Sequence, residues 1–269
     1  MNIEYAQKTL AIILSCTLFL AASSCRSNIS VSHADQIDSG APDDGVSHDS
    51  PAPLNTYSFP NEIDRSKRYL FYLHGRILED QELPAISEQF GEYEYATILS
   101  RLSVSGSIVI SEKRAANTSV NDYARKISEQ IETLLAKNVP AISITVVGAS
   151  KGSYIAATVS HILKNSELNF VLLGSCHSSV VDQWIDREMR LYGNVLAIRD
   201  YMDTDLAGSC DELALLSEGP GLTNYQEIAL RIGTGHGILY QPLDQWVEPT
   251  IGWGKADYRK DRVELNNLL

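Results

Sequence analysis

Six short apolar runs with helical stretches between them constrain this chain more than any other feature of it. The runs are Tyr69–Leu73, Ser107–Ser111, Ile142–Val147, Phe170–Leu173, Val195–Ile198 and Ile228–Ile232. They are nearly continuous in apolar residues, the pattern of strands covered on both faces in a parallel sheet. Helical periodicity fills four intervals: Glu88–Leu102, Val120–Lys137, Lys151–Leu163 and Val180–Leu191. In the second, Tyr123, Ile127, Ile131, Leu134 and Leu135 recur at a helical spacing. Strands alternating with helices predict an α/β fold with an open, mostly parallel, doubly wound sheet. Ligands in such sheets bind beyond the carboxyl ends of the strands, so functional residues are expected just after each run.

The N-terminal quarter has a different character. Lys8 precedes an apolar run, Leu10–Ala22, shorter than the roughly 20 residues a membrane-spanning helix needs and suited to a signal-peptide core. Its end, Ala22-Ser23-Ser24-Cys25, resembles a bacterial lipobox, in which small residues precede a cysteine that is lipidated and becomes the new N-terminus; Ala22 stands where Leu is usual. The other readings are ordinary cleavage near Ala22 with release, and an uncleaved anchor. Residues 1–24 are thus expected to be a signal peptide, with Cys25 the lipid-bearing residue. Residues 25–55 are rich in Ser, Asp, Pro and Gly, and they read as a flexible acidic tether, because they hold too little apolar surface to offset ordering entropy. His33 and His48 fall in it. Residues 56–269 then form one domain. Arg26 rather than Asp follows Cys25, which favours the outer membrane, facing the periplasm or the surface.

Charge narrows the partners. There are 22 Lys and Arg against 34 Asp and Glu, a net charge of −12, which argues against nucleic acid because phosphate binding needs a basic face. The 4 Cys are too few for a disulfide scaffold. Cys16 lies within the signal. No cofactor is implied, and contact with a membrane is expected through the N-terminal lipid only. No feature of the sequence sets an oligomeric state.

The residues that carry chemistry follow the third run: Gly148-Ala149-Ser150-Lys151-Gly152, a G-x-S-x-G between a strand and a helix. A serine on such a sharp turn projects its hydroxyl from the sheet edge, and the following helix offers free backbone N–H groups and a positive dipole end. A phosphate loop needs Gly-Lys-Ser/Thr in that order. Here the order is Lys151-Gly152-Ser153, which excludes it.

In these residues the chain resembles the α/β-hydrolase superfamily, over roughly Tyr57 to Leu269. The first strand ends His74-Gly75-Arg76, similar to the superfamily's oxyanion turn. Asp203 follows the fifth run, and Gly235-His236-Gly237 follows the last, giving Ser, Asp and His in the chain order of that fold. Asp200 replaces the usual glycine of G-x-x-D, so Asp200, Asp203 and Asp205 are all candidate acids, with Asp203 at the favoured spacing. The resemblance implies a serine hydrolase. Ser150 would be the nucleophile, His236 the base, Asp203 the orienting acid, and the Lys151 and Arg76 amides the oxyanion donors.

Other residues compete for these roles. His177 is the serious rival to His236; His161 lies within a helix, and His74 is expected to shape the oxyanion turn through hydrogen bonds. Lys151, Arg76, Lys113 and Arg114 either favour an anionic substrate or are solvated charges. Cys176 and Cys210 each follow one of two neighbouring strands. In an exported chain they read as a disulfide, then as free thiols, then as metal ligands with His177. No metal spacing such as C-x-x-C is present, and no metal is expected. The interval Gly174–Asn194 is too lean for a cap domain, which predicts an open site for short acyl chains, or for an acyl group displayed by a polymer. The function expected is an exported serine hydrolase of ester or related acyl bonds. The alternatives are a non-catalytic binding lipoprotein on this fold, or a peptidase or acyltransferase using the same residues.

Overall fold

The computed structural model describes residues 57–219 and 221–258. The signal peptide, the tether and Cys25 lie outside the described residues. Strands β1 (Tyr69–Leu73), β4 (Ile108–Ile110), β5 (Ile144–Ala149), β6 (Asn169–Leu173), β7 (Gly193–Asp200) and β8 (Leu222–Leu230) form a six-stranded sheet in the order β4-β1-β5-β6-β7-β8. Every neighbouring pair is parallel. A small antiparallel hairpin, β2 (Ile86–Ser87) and β3 (Gly91–Glu92), stands apart from it.

The pleat sorts the core into two layers. Tyr69, Phe71 and Leu73 of β1 point to one face, with α3 (Val120–Ala136), α4 (Lys151–Leu163), α5 (Ser178–Asp186) and α6 (Asp211–Ser217). Leu70 and Tyr72 point to the other, with α2 (Tyr95–Ser103) and α7 (Asp244–Gly254). Burial on both faces is why these strands read as unbroken apolar runs. In α3, the Ser119 hydroxyl accepts the Asp122 amide at the N-terminus, and Tyr123, Ile127, Ile131 and Leu134 form the buried stripe. After β1 the chain crosses to β4 at one edge, then returns to β5 on the other side of β1. The order therefore reverses between β1 and β5, and a crevice for ligands opens at such a point.

Two helical expectations need correction. The Glu88–Leu102 stretch is not one helix: Gly91, at φ +80°, turns the chain into β3, and α2 begins at Tyr95. The stretch expected over Val180–Leu191 is the shorter α5, because Glu188 takes φ +56° and the chain beyond it carries Met189 and Leu191 into the core as a loop. Helices α6 and α7 were not expected at all. Short helix α1 (Ile77–Asp80) follows β1, and among the described residues α5 is the one helix between β6 and β7, with no cap domain.

Candidate active site

Ser150 sits between β5 and α4 at φ 52° and ψ −118°, a region few non-glycine residues enter. The glycines around it make the turn possible. A Cβ on Gly148 would lie 2.2 Å from the Gly152 carbonyl oxygen, and one on Gly152 would lie 1.8 Å from that of Leu73. Both approaches are far inside contact distance, so G-x-S-x-G here is a packing requirement of strand against helix.

Two further loops converge on this serine. His236 lies on a 3₁₀ turn, Gly235–Leu239, after β8, and its Nε2 is 2.9 Å from Ser150 Oγ. Its Nδ1 is 2.6 Å from Asp203 Oδ2 on the loop after β7. A carboxylate only accepts, so Nδ1 carries the proton and donates to Asp203, while the Ser150 hydroxyl donates to Nε2. His236 and Asp203 are buried. The structure thus brings Ser150, His236 and Asp203 together in one hydrogen-bonded chain.

Asp200, the rival acid, is fully buried and directed elsewhere. Its Oδ1 accepts the Met202 amide at 2.8 Å, and its Oδ2 accepts the Gly233 and Thr234 amides at 2.8 and 3.2 Å. One carboxylate thereby ties the Asp203 loop to the His236 loop. Asp205 is exposed. The other histidines lie elsewhere: His177 Nδ1 pairs with Ser179 Oγ at 2.9 Å, and His161 Nδ1 accepts the Arg190 amide at 3.1 Å. Cys176 and Cys210 form a disulfide, which removes both thiols from any metal site. It links the start of α5 to the start of α6, and so fastens the segment that carries Asp203.

Beneath the turn after β1 lies an ion cluster. Arg114 and Glu79 side chains are 0% exposed and joined by a 2.8 Å bond from Nε to Oε1. Lys151 Nζ donates to Glu79 Oε2 at 2.5 Å. Arg114 Nη2 donates to the His74 carbonyl at 2.5 Å, and the Arg114 amide donates to His74 Nε2 at 2.9 Å. His74 Nδ1 then donates to the Gly75 carbonyl at 2.7 Å. Arg114 and Lys151 are therefore not solvated charges: Glu79, which the sequence reading missed, draws them inward. Arg76 and Lys113 do pair at the surface, with Asp80 and Glu82. Burial, and then the Arg114 charge, lower the His74 pKa from 6.5 to about 3, so its ring is neutral.

The positions expected for oxyanion donors flank the serine. Lys151 is the first residue of α4, where amides lack an intrahelical acceptor, and Arg76 lines the cleft that holds Ser150. The Gly75 amide is taken by the Tyr93 hydroxyl at 3.3 Å. That cleft has a volume of about 150 Å³, with apolar walls from Ile77, Tyr93, Leu239 and Tyr240. Phe90, from the hairpin, covers one side, its ring 6.4 Å from that of His236 and 5.2 Å from that of Tyr240.

The parallel sheet, its order, and Ser, Asp and His presented in that chain order at the carboxyl ends of β5, β7 and β8 define an α/β-hydrolase fold. No family model matches the sequence, and no curated protein matches it. Among solved structures, the chain is similar to Arabidopsis thaliana SOBER1 (10% identity, 72% of this chain and 100% of that one, TM-score 0.47). It is also similar to the Pyrococcus furiosus esterase Pf2001 (14% identity, 72% and 84%, TM-score 0.46). A third is the hyperthermophilic esterase from the archaeon Pyrobaculum calidifontis (16% identity, 76% and 80%, TM-score 0.42).

Proposed function

We propose that the protein is a serine hydrolase of carboxylic esters or related acyl bonds. The observation that carries this reading is the continuous chain from Ser150 Oγ through His236 to Asp203, at 2.9 and 2.6 Å, on a strained turn at a cleft. Ser150 Oγ attacks the acyl carbonyl carbon, and its proton passes to His236 Nε2. The imidazolium is held by Asp203, and the tetrahedral oxyanion by the Lys151 and Arg76 amides. Collapse breaks the bond to the leaving alcohol, which takes the proton from Nε2. Water then attacks the acyl-enzyme with His236 accepting its proton; the carboxylic acid leaves and Ser150 regains its hydroxyl. The buried Glu79, Arg114 and Lys151 cluster carries a net positive charge beneath the oxyanion turn, which favours the anionic intermediate.

The acyl group it accepts is short. An apolar cavity of about 150 Å³ admits a benzene-sized group, and the cleft at Ser150 is of that size. Export and lipidation at Cys25 complete the proposal, with the outer membrane as destination. The disulfide between Cys176 and Cys210 supports an oxidising compartment. Ser150→Ala should lower the turnover of short p-nitrophenyl esters by several orders of magnitude with an unchanged melting profile. Activity within tenfold of wild type would refute the assignment. Cys25→Ala should move the protein out of the membrane fraction or block its maturation; an unchanged membrane fraction refutes lipidation there.

A further inference from the structure

The cleft at Ser150 does not end at His236. Phe90, Leu206 and His236 also line a second cleft, of about 280 Å³, which runs between the loops after β7 and β8. Its chemistry differs from the first. Gln89, Thr204, Asp205 and Thr234 bring an amide, two hydroxyls and a carboxylate to it, all on exposed residues. Phe90 and Met202 add an aromatic ring and a thioether. Among the described residues that line it there is no Lys or Arg.

The acyl-transfer chemistry proposed for Ser150, on which this inference rests, sets how a substrate divides between the clefts. The acyl group and the leaving alcohol lie on opposite sides of the attacked carbon. The alcohol oxygen must reach His236 Nε2, which faces Ser150 in the first cleft, so the rest of a bulky alcohol extends past Phe90, Leu206 and His236, which line both clefts, into the second. We infer that the second cleft binds a neutral polyhydroxylated alcohol, a sugar residue, as the leaving group of the ester. A sugar ring has an apolar face for Phe90 and Met202, and hydroxyls for Thr204, Asp205 and Thr234. A simple alkyl alcohol strips water from those polar groups and returns no hydrogen bond. A phosphorylated or carboxylated alcohol meets the Asp205 charge with no cation among the described lining residues to offset it. The walls are preorganised for this: Asp200 holds the Met202, Gly233 and Thr234 amides, so both loops are fixed before any ligand arrives.

The test compares two acetyl esters of similar bulk on the full-length protein, methyl 6-O-acetyl-glucoside and cyclohexylmethyl acetate. The sugar ester should have a kcat/KM at least about tenfold higher, the discrimination expected where hydroxyl partners are built in. Asp205→Ala and Thr234→Val should each shrink that ratio. Equal kcat/KM for the two esters, both lost in Ser150→Ala, overturns the sugar subsite and leaves the hydrolase reading standing. No turnover of either ester above that of Ser150→Ala overturns both.

Discussion

At the scale of single residues, the two aspartates near His236 divide the work in a way that can be measured. Asp203 touches the imidazole, whereas Asp200 accepts three backbone amides. Asp203→Asn should reduce kcat by about 10⁴-fold with little loss of stability, because it favours the wrong tautomer of His236. Asp200→Ala leaves those amides without an acceptor and should cost about 3 kcal/mol or more in urea unfolding. If Asp200→Ala instead matches Asp203→Asn in kcat while keeping its stability, the roles are reversed. Glu79→Gln strands Arg114 and Lys151 beneath the turn after β1, and should cost about 3–5 kcal/mol, as loss of one partner from a buried pair does. An unchanged unfolding midpoint contradicts the burial of that cluster. His74 supplies a pH signature. Its pKa is about 3 in the folded chain and 6.5 when exposed, so the unfolded chain binds the extra proton between those values. Stability therefore falls as pH drops from about 6.5 toward 3, by at most about 1.4 kcal/mol per unit from this group. His74→Gln should flatten the slope over that range; identical slopes in both proteins argue against a neutral buried His74. Of these residues, Ser150, Asp203 and His236 are singled out in sequence by G-x-S-x-G and by the superfamily resemblance, each after an apolar run, and the structure brings the three into hydrogen-bond contact. Glu79 is not, because a lone carboxylate after a strand carries no mark of the two cations that fold onto it.

At the scale of elements, legibility follows burial. The central strands β1, β5 and β6 are covered on both faces; β1 and β6 match their apolar runs to within a residue, whereas β5 starts two residues later than its run, at Ile144, because Ala141–Ser143 forms a 3₁₀ turn. The edge strand β8 begins at Leu222, earlier than the apolar run implies, because Thr223, Asn224, Gln226 and Glu227 belong to a half-solvated edge. Glu227 there pairs with Arg199 and accepts the Cys210 amide, uses for a polar side chain that no periodicity announces. Helix α7 buries Trp246, Val247, Thr250 and Trp253 at a helical spacing, but Pro249 interrupts the pattern that would reveal it. The hairpin over the site hides for another reason: its strands are two residues each, below the length at which alternation can be read. The disulfide closes a loop with a sequence separation of 34. By loop entropy, the double variant Cys176→Ser, Cys210→Ser should lose about 3–4 kcal/mol. Because the bond fastens the Asp203 segment, kcat should fall in the same variant before the fold is lost. Stability and kcat both at wild-type values would show that the bond does neither.

At the scale of the whole molecule, site and scaffold follow from one topological fact: the sheet order reverses between β1 and β5. The turn proposed to hold the oxyanion follows the first of these strands and Ser150 the second, so both lie at the crevice that a doubly wound sheet opens. The hairpin covers part of this crevice, and no cap domain among the described residues encloses it. Methylenes beyond the 150 Å³ cleft stay in water, each forgoing about 0.8 kcal/mol. Esters of C2 to C4 acids should therefore be hydrolysed faster than those of C12 or longer, and a kcat/KM that climbs steadily to C12 would contradict the open site. The central claim, that Ser150 is an activated nucleophile, is tested most directly by exposing the protein to a fluorophosphonate and locating the adduct by peptide mass spectrometry. The account predicts one adduct, on Ser150, absent from Ser150→Ala and greatly slowed in His236→Ala. A folded wild-type protein that takes no label, or takes it on another serine, would contradict the account.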